Sequence, residues 1–363
     1  MSSVRSAAAG PPTRGATRVH GGPDARGRAR WDFSTNANAA GPCPAAAALV
    51  READATRYPD PSYRRLRERL AAWHGVAPAR ILVAASASEF IQRITAVGAR
   101  LAPGPVAVPE HAYGDYAAAA QAHGRALCVS GHEGPVAGQR PTLRWCCDPS
   151  SPLGQDAPPP ADLGSCATVL DAAYAPLRLQ GRSTWAGAAR DAVFELISPN
   201  KALGLPGVRG AYAIAPRDGC GLGADWADAL AAAEPSWPLG AHAVAMLEAW
   251  VSDGAQQWLA RQRDTLRGWK AELLALLIEA GAVAQPSVTP FVCAQLPPGV
   301  TAASLREHDI AVRDTASFGL AGRVRLNALP PDALQALAQA IGALRQPMST
   351  SSTTPPPSTE GNA

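Results

Sequence analysis

Only two of the 33 basic residues in this chain are lysines, Lys201 and Lys270; all the others are arginines. A surface cation can be either type, but an arginine does not give up its proton to become a nucleophilic amine. A lysine kept in an arginine-biased chain therefore marks a place where an amine is wanted. Lys270 sits in Arg267-Gly-Trp-Lys-Ala-Glu272 on a helical stretch and reads as part of a solvated face. Lys201 follows an apolar strand and precedes Gly204, Gly207 and Gly210, a turn-like setting that admits close approach of a ligand. Lys201 is the residue to which a chemical role is assigned.

The elements that must position it alternate along the chain. Tyr63–Trp73 reads as an amphipathic helix, with Leu66, Leu70 and Trp73 at helical spacing. Residues 81–83 form a short buried strand leading into Ser86-Ala87-Ser88-Glu89 and a helix through Val97. A strand at 106–108 and a helix around 117–122 come next, then apolar runs at 127–129, 167–170, 193–197 and 211–215. Short strands separated by helices or long connections imply an α/β fold, with a mostly parallel sheet flanked by helices on both faces. Pro238 opens a long helical region over 239–280, with a break expected near Gly254. Strands at 291–296 and 324–327, and helices at 301–308 and 331–344, suggest a smaller α+β unit. A chain of 363 residues is long for one hydrophobic core. The expected division is a large domain over 58–280, a small C-terminal α+β domain over 281–347, and a segment at 31–57 joining the small domain. Disordered tails are expected at 1–30 and 348–363.

Ser198-Pro-Asn-Lys201-Ala-Leu-Gly-Leu-Pro-Gly-Val-Arg209-Gly-Ala-Tyr212 resembles the Ser-x-x-Lys…Gly-Leu-x-Gly-x-Arg signature of class I/II aminotransferases, the fold-type I pyridoxal-phosphate enzymes. The resemblance implies pyridoxal 5'-phosphate as cofactor, held as a Schiff base on Lys201, with Ser198 and Arg209 on its phosphate. A guanidinium fork and a hydroxyl suit phosphate oxygens. Asp171-Ala-Ala-Tyr174 resembles the family's strand-end Asp-x-x-Tyr, although a strand-end Asp is also a common helix cap. In that family Asp171 would face the pyridine nitrogen and keep it protonated, and Tyr174 would bond the phenolic oxygen.

Four further segments carry the resemblance. Pro109-Glu-His-Ala-Tyr113-Gly-Asp-Tyr116 is similar to the segment whose ring stacks on the cofactor, which points to Tyr113. Ser86, Ala87 and Ser88 match in position the turn that offers N–H groups and a hydroxyl to the phosphate at a helix N-terminus. Tyr58-Pro-Asp-Pro61 resembles the element that reaches the neighbouring subunit's phosphate, implying a homodimer with shared active sites. Arg323-Val-Arg325-Leu resembles the strand whose arginine grips the substrate carboxylate, with Arg325 the better aligned of the two.

There are departures. The family's Asn-Pro-x-Asn-Pro-x-Gly is here Asp148-Pro-Ser-Ser151-Pro-Leu-Gly154, so the shorter Ser151 stands where an asparagine normally bonds the cofactor's phenolic oxygen. The phosphate turn also lacks its usual glycines. At the N-terminal end, His20-Gly-Gly22 followed by Asp32-Phe-Ser-Thr-Asn36-Ala-Asn38 resembles the threonine-phosphate decarboxylase branch of cobalamin biosynthesis. That branch implies a small amino acid or amino-phosphate substrate, with His20, Asn36 and Asn38 taking part in binding it. Histidinol-phosphate aminotransferases share the Asn-x-Asn and are the alternative. A non-catalytic ligand-binding homologue is a further one.

Other classes find no support in the sequence. Net charge is only +3, with no basic stretch interleaved with aromatics, so nucleic acid is not an expected partner. The seven cysteines are odd in number and form no C-x-x-C pair, which argues against a disulfide framework or a metal site and suits a reducing cytoplasm. No apolar run reaches the roughly 18 residues needed to span a bilayer. The first thirty residues, rich in Arg, Ala and Gly with Asp24 their only acid, read either as an unstructured tail or as an organelle transit peptide.

Overall fold

Alternation along short strands builds a sheet buried on both faces. In Ile81–Ala84, Ile81 and Val83 point into one core while Leu82 and Ala84 point into another. The computed structural model describes residues 20–130, 139–217 and 224–345. Its main sheet has seven strands, in the order Ile81–Ala84, Ala211–Ile214, Phe194–Ile197, Ala167–Asp171, Leu143–Cys147, Val106–Val108 and Leu127–Val129. All neighbours are parallel except Ala211–Ile214, which runs antiparallel to both of its neighbours. Helix Ala87–Leu101 packs on one face; Arg64–His74, Ala241–Trp250 and the start of the long helix pack on the other. The expected α/β architecture is what the chain adopts.

The helical region after Pro238 is two helices, Ala241–Trp250 and Asp253–Glu279. The break lies at Val251-Ser252 rather than at Gly254, because the Ser252 hydroxyl accepts the Ala255 N–H and caps the second helix. That long helix joins two cores: Leu266 belongs to the core of the main sheet, Leu273 and Leu277 to the core of a second one. The second sheet is antiparallel, ordered Arg313–Asp314, Val324–Asn327, Phe291–Gln295 and Val283–Ala284, and is backed by helix Pro331–Arg345.

Several expectations from sequence need correction. Strand Leu143–Cys147 was not anticipated; it carries a buried Arg144, whose charge is matched by both oxygens of Asp162 at 2.8 and 2.7 Å. Helices Pro44–Glu52 and Ala224–Ala232 were also missed. Segment 31–57 joins both cores, with Phe33 in the second and Cys43 and Ala46 in the first. Residues 20–30 are not a loose tail. Asp24 pairs with Arg306 at 2.8 Å and Arg26 with Glu307 at 2.7 Å, and Trp31–Asp32 pairs in parallel with Ile310–Ala311. Residues 1–19 and the expected C-terminal tail at 348–363 lie outside the described residues.

Lys270 is the clearest reversal. It is 5% exposed, because the joining helix turns that face against the loop at Ser287, whose carbonyl accepts its ammonium. Among the described residues no helix is long and apolar enough to cross a membrane.

Candidate active site

The antiparallel strand concentrates the chemistry. Because Ala211–Ile214 runs against its neighbours, its first two residues meet their last ones: Ala84 pairs with Ala211, and Ile197 with Tyr212. The segment leaving Ala84, the one leaving Ile197 and the one entering Ala211 therefore converge at a single edge. They bring Ser86–Ser88, Ser198–Lys201 and Arg209 together beside the carboxyl ends of the parallel strands, the usual position for a ligand crevice in such sheets. A cavity of about 530 Å³ opens there.

One end of it is built for an anion. Ser86 caps helix Ala87–Leu101 by accepting the Glu89 N–H at 3.1 Å, leaving the first-turn N–H groups of Ala87 and Ser88 without helical partners. These groups and the positive end of the helix dipole face the cavity together with Arg209. The Ser198 hydroxyl is buried there and has no hydrogen-bond partner among the described residues.

Lys201 lines the cavity, in a turn held by three contacts. Its carbonyl accepts the Asn38 N–H at 2.8 Å, and its own N–H donates to Asn200 Oδ1 at 3.0 Å. Gly204 turns the chain at φ +67°, where a Cβ would fall 2.5 Å from the Gly41 carbonyl oxygen. Lys201 Nζ lies 5.4 Å from the centre of the Tyr174 ring.

Asp171 ends strand Ala167–Asp171 and is 5% exposed. Its Oδ1 accepts the Ala173 N–H at 3.0 Å and its Oδ2 the Tyr116 hydroxyl at 2.7 Å. Burial raises its pKa, opposed by the Tyr116 hydroxyl, the Ala173 N–H and the Lys201 charge. Tyr116 is fully buried, stacked on Trp145 with ring centres 4.4 Å apart. Burial pushes its pKa far up, so it stays a donor. Tyr113 lies edge-on to it at 5.8 Å, with its hydroxyl 3.3 Å from Ser88 Oγ.

The other end is lined from elsewhere in the chain. Arg325 is buried; its Nη atoms reach Ser151 Oγ and the Ser34 carbonyl at 3.4 Å, and its Nε has no partner among the described residues. Arg313 is its register partner across the sheet, bonded to Ser317 Oγ at 2.7 Å and lying over the Phe318 ring. Burial lowers the Arg313 pKa, and the Arg325 charge lowers it further. Asn36 presents a buried amide neither atom of which is bonded among the described residues, and the His20 ring lies 6.4 Å from that of Tyr113.

All but three of the site residues expected from sequence line this one cavity. Asn38 does not: its Nδ2 donates to the Ala202 carbonyl at 3.1 Å, so it braces the Lys201 turn. Arg323 does not either, because strand Val324–Asn327 starts one residue later and leaves it in the preceding turn. Tyr58 is 78% exposed outside the cavity, stacked on Trp237 at 4.6 Å. Tyr116, Arg313, Asn200 and Phe318 were missed. Tyr116 lay within a quoted segment, but nothing local in the sequence marks Arg313.

The departures have local answers. Asp148 is buried and paired with Arg178 Nη2 at 2.9 Å to both oxygens; it also accepts bonds from Ser183 and the Ala157 N–H. It is thus a bracing residue of this loop. Ser151 faces the cavity within reach of Arg325.

An orphaned hydroxyl, free helix N-terminal N–H groups, a buried carboxylate and an amine lining one cavity suit a phosphate, a ring nitrogen and an aldehyde on one molecule. This fold and cavity define a fold-type I pyridoxal-phosphate enzyme. The chain belongs to the family of aminotransferases class I and II, whose profile matches residues 31–341; its cofactor is pyridoxal 5'-phosphate. It is 28% identical over 344 residues to a histidinol-phosphate aminotransferase from Ruegeria pomeroyi, covering 86% of this chain and 91% of that one. The fold is similar to that of L-threonine-O-3-phosphate decarboxylase from Porphyromonas gingivalis, with TM-score 0.70, 23% identity, and 86% and 98% of the two chains covered. It is also similar to histidinol-phosphate aminotransferase from Sinorhizobium meliloti, solved with pyridoxal-5'-phosphate, with TM-score 0.69, 21% identity and 85% and 90% covered.

Proposed function

We propose that this chain is a threonine-phosphate decarboxylase-like enzyme acting on a small phosphorylated amino acid. The observation that carries the reading is the position of His20-Gly21-Gly22. A Cβ on Gly21 would lie 2.3 Å from the Ser34 carbonyl oxygen, so only glycine lets the segment lie this close, and His20 then lines the cavity shared by Arg313 and Arg325. Two guanidiniums, an imidazole and a free amide form a site for two anionic groups, one more than a simple amino acid carries.

Bound pyridoxal phosphate supplies an electron sink for the pair released when a bond to the substrate Cα breaks. Lys201 would anchor the cofactor and, once the substrate amine took that place, would be free to carry protons at Cα. Asp171, held by Tyr116 and the Ala173 N–H, would face the ring nitrogen and keep its proton in place. Tyr174 would bond the phenolic oxygen and Tyr113 cover the ring, while Ser86, Ala87, Ser88, Ser198 and Arg209 would hold the phosphate. Arg325 orients the substrate carboxylate; Arg313, His20 and Asn36 take its phosphate. The bond cleaved would be the one this end of the cavity holds perpendicular to the ring: the C–C bond for decarboxylation, or the Cα–H bond, whose proton Lys201 would take, for transamination. Tyr58, exposed beside Trp237, is assigned to the active site of a second copy in a homodimer, and the free cysteines suit a cytoplasmic protein.

A second reading, histidinol-phosphate aminotransferase, is favoured by the Ruegeria pomeroyi relative and by another from Halorubrum lacusprofundi, 28% identical over 319 residues. The two readings part in one assay. O-Phosphothreonine should release CO2 without any keto acid. Keto-acid-dependent transamination of histidinol phosphate, with no CO2 from O-phosphothreonine, would overturn the decarboxylase reading in favour of the second.

A further inference from the structure

A second cavity, of about 630 Å³, lies where the joining helix Asp253–Glu279 meets the loop at 284–288, and shares no lining residue with the active cavity. Lys270 lines it. Its ammonium donates to the Ser287 carbonyl, and no described carboxylate pairs with it. Burying a cation without a countercharge is costly, so the position calls for an anion or for loss of the proton. Desolvation pulls the Lys270 pKa down only to about 8, which leaves most of the charge in place at neutral pH.

The other groups facing the cavity narrow what that anion can be. Arg267, one turn earlier, is committed to Asp264 and to the Leu179 carbonyl, and Asp156 is paired with Arg178. One uncompensated charge suits a monoanion better than a phosphate. Leu274, Val288 and Val292 form an aliphatic wall, with the Gln180 and Gln285 amides also facing the space.

We propose that this cavity is a binding site for a small aliphatic carboxylate, its carboxylate on Lys270 Nζ and its tail along the Leu274–Val292 wall. The site has a route to the active cavity. Gln155, in its lining, closes the turn at 150–155: Ser150 N donates to the Gln155 carbonyl at 2.8 Å, and Gln155 N to Ser150 Oγ at 3.0 Å. Ser151, inside that turn, meets Arg325. The proposal does not rest on the chemistry assigned to Lys201.

The test is calorimetric titration of hexanoate into the borohydride-reduced holoenzyme carrying Arg325→Ala, whose cofactor end is filled and whose substrate-end guanidinium is removed. We expect saturable binding of one hexanoate per chain. Lys270→Met, which removes the charge and keeps the volume, should weaken it by about tenfold or more, while Lys270→Arg should keep it. The unmodified protein gives an independent readout, because affinity should fall as pH rises past about 8 and the ammonium loses its proton. Absence of saturable binding, equal affinity in Lys270→Met, or an affinity flat across that pH range would each overturn the proposal. Tighter binding of inorganic phosphate than of hexanoate would overturn the assignment to carboxylates.

Discussion

The two ends of the active cavity are made in different ways. The phosphate end consists of three chain segments leaving or entering adjacent strands of one sheet, so the hydrogen-bond register that pairs Ala84 with Ala211 and Ile197 with Tyr212 also sets the spacing of Ser86, Ser198 and Arg209. Much of what it offers is backbone N–H. The substrate end draws His20 and Asn36 from near the start of the chain and Arg313 and Arg325 from near its end. They are joined through a two-residue parallel pairing and the burial of Phe33. On the proposed roles, holding the cofactor would be a property of a continuous sheet, while choosing the substrate would belong to a seam between separately built parts. Such a seam can be altered without disturbing the sheet.

Four experiments test that division, from the largest expected effect to the smallest. Lys201→Ala stands between the two ends and should abolish turnover, by about 10⁴-fold or more, and remove the borohydride-sensitive visible absorption band. A band that survives would break the assignment of the anchor.

Arg209→Ala and Arg325→Ala should then separate the ends. The first should weaken pyridoxal-phosphate affinity by roughly 100-fold while keeping most turnover at saturating cofactor. The second should lower kcat/KM by about 100-fold and leave cofactor affinity unchanged. If both variants lose cofactor alike, the two ends are one unit and the comparison fails.

Tyr116→Phe should act on the cofactor end alone. It removes the 2.7 Å donor to Asp171, so Asp171 should hold a proton more readily. We expect kcat to fall about tenfold with KM little changed and the acid limb of the pH profile displaced upward. Pure packing damage would leave the profile in place.

The smallest effect concerns acid. His74 Nε2 lies 2.8 Å from the hydroxyl of Tyr212, on the strand that follows Arg209, and burial lowers the His74 pKa to about 4. The unfolded chain, with an ordinary histidine near 6.5, binds more protons than the native one between these values. The neutral ring's contribution is therefore present above about pH 6.5 and is lost as pH falls toward 4, on the order of 3 kcal/mol in all. Denaturation midpoints measured across that window should fall, and cofactor release should accompany the fall. His74→Gln should flatten the dependence.

The same division explains what could be read in the sequence. The segments around Lys201, Asp171 and Ser86 are each contiguous, and each is tied to the end of a single strand, so their order along the chain already reports their arrangement. The substrate end has no such local record. Arg313 lies in a two-residue strand with no periodicity, and it becomes a site residue only through its register against Arg325. Arg323 was attractive because it is two residues from Arg325, but the strand begins too late to aim it inward. Asn38 was grouped with Asn36, yet hydrogen bonds to the Lys201 turn take up its amide. Strand Leu143–Cys147 was hidden because its buried arginine finds its counter-ion eighteen residues on, outside any local window. Lys270 was misread for a related reason: a helix that joins two cores has buried faces on both, which a single amphipathic pattern does not report.

The pairing of Trp31–Asp32 with Ile310–Ala311 also bears on how the protein is made. During synthesis these two residues leave the ribosome well before their partners are translated. Strands from Ile81 to Ile214 complete the main sheet long before that. The nascent chain therefore carries Ser86, Ser198, Lys201 and Arg209 on a sheet whose strands are all translated before Arg313 and Arg325 exist. On the proposed roles, the cofactor end would be complete before the substrate end, which waits for Trp31–Asp32 to dock on Ile310–Ala311.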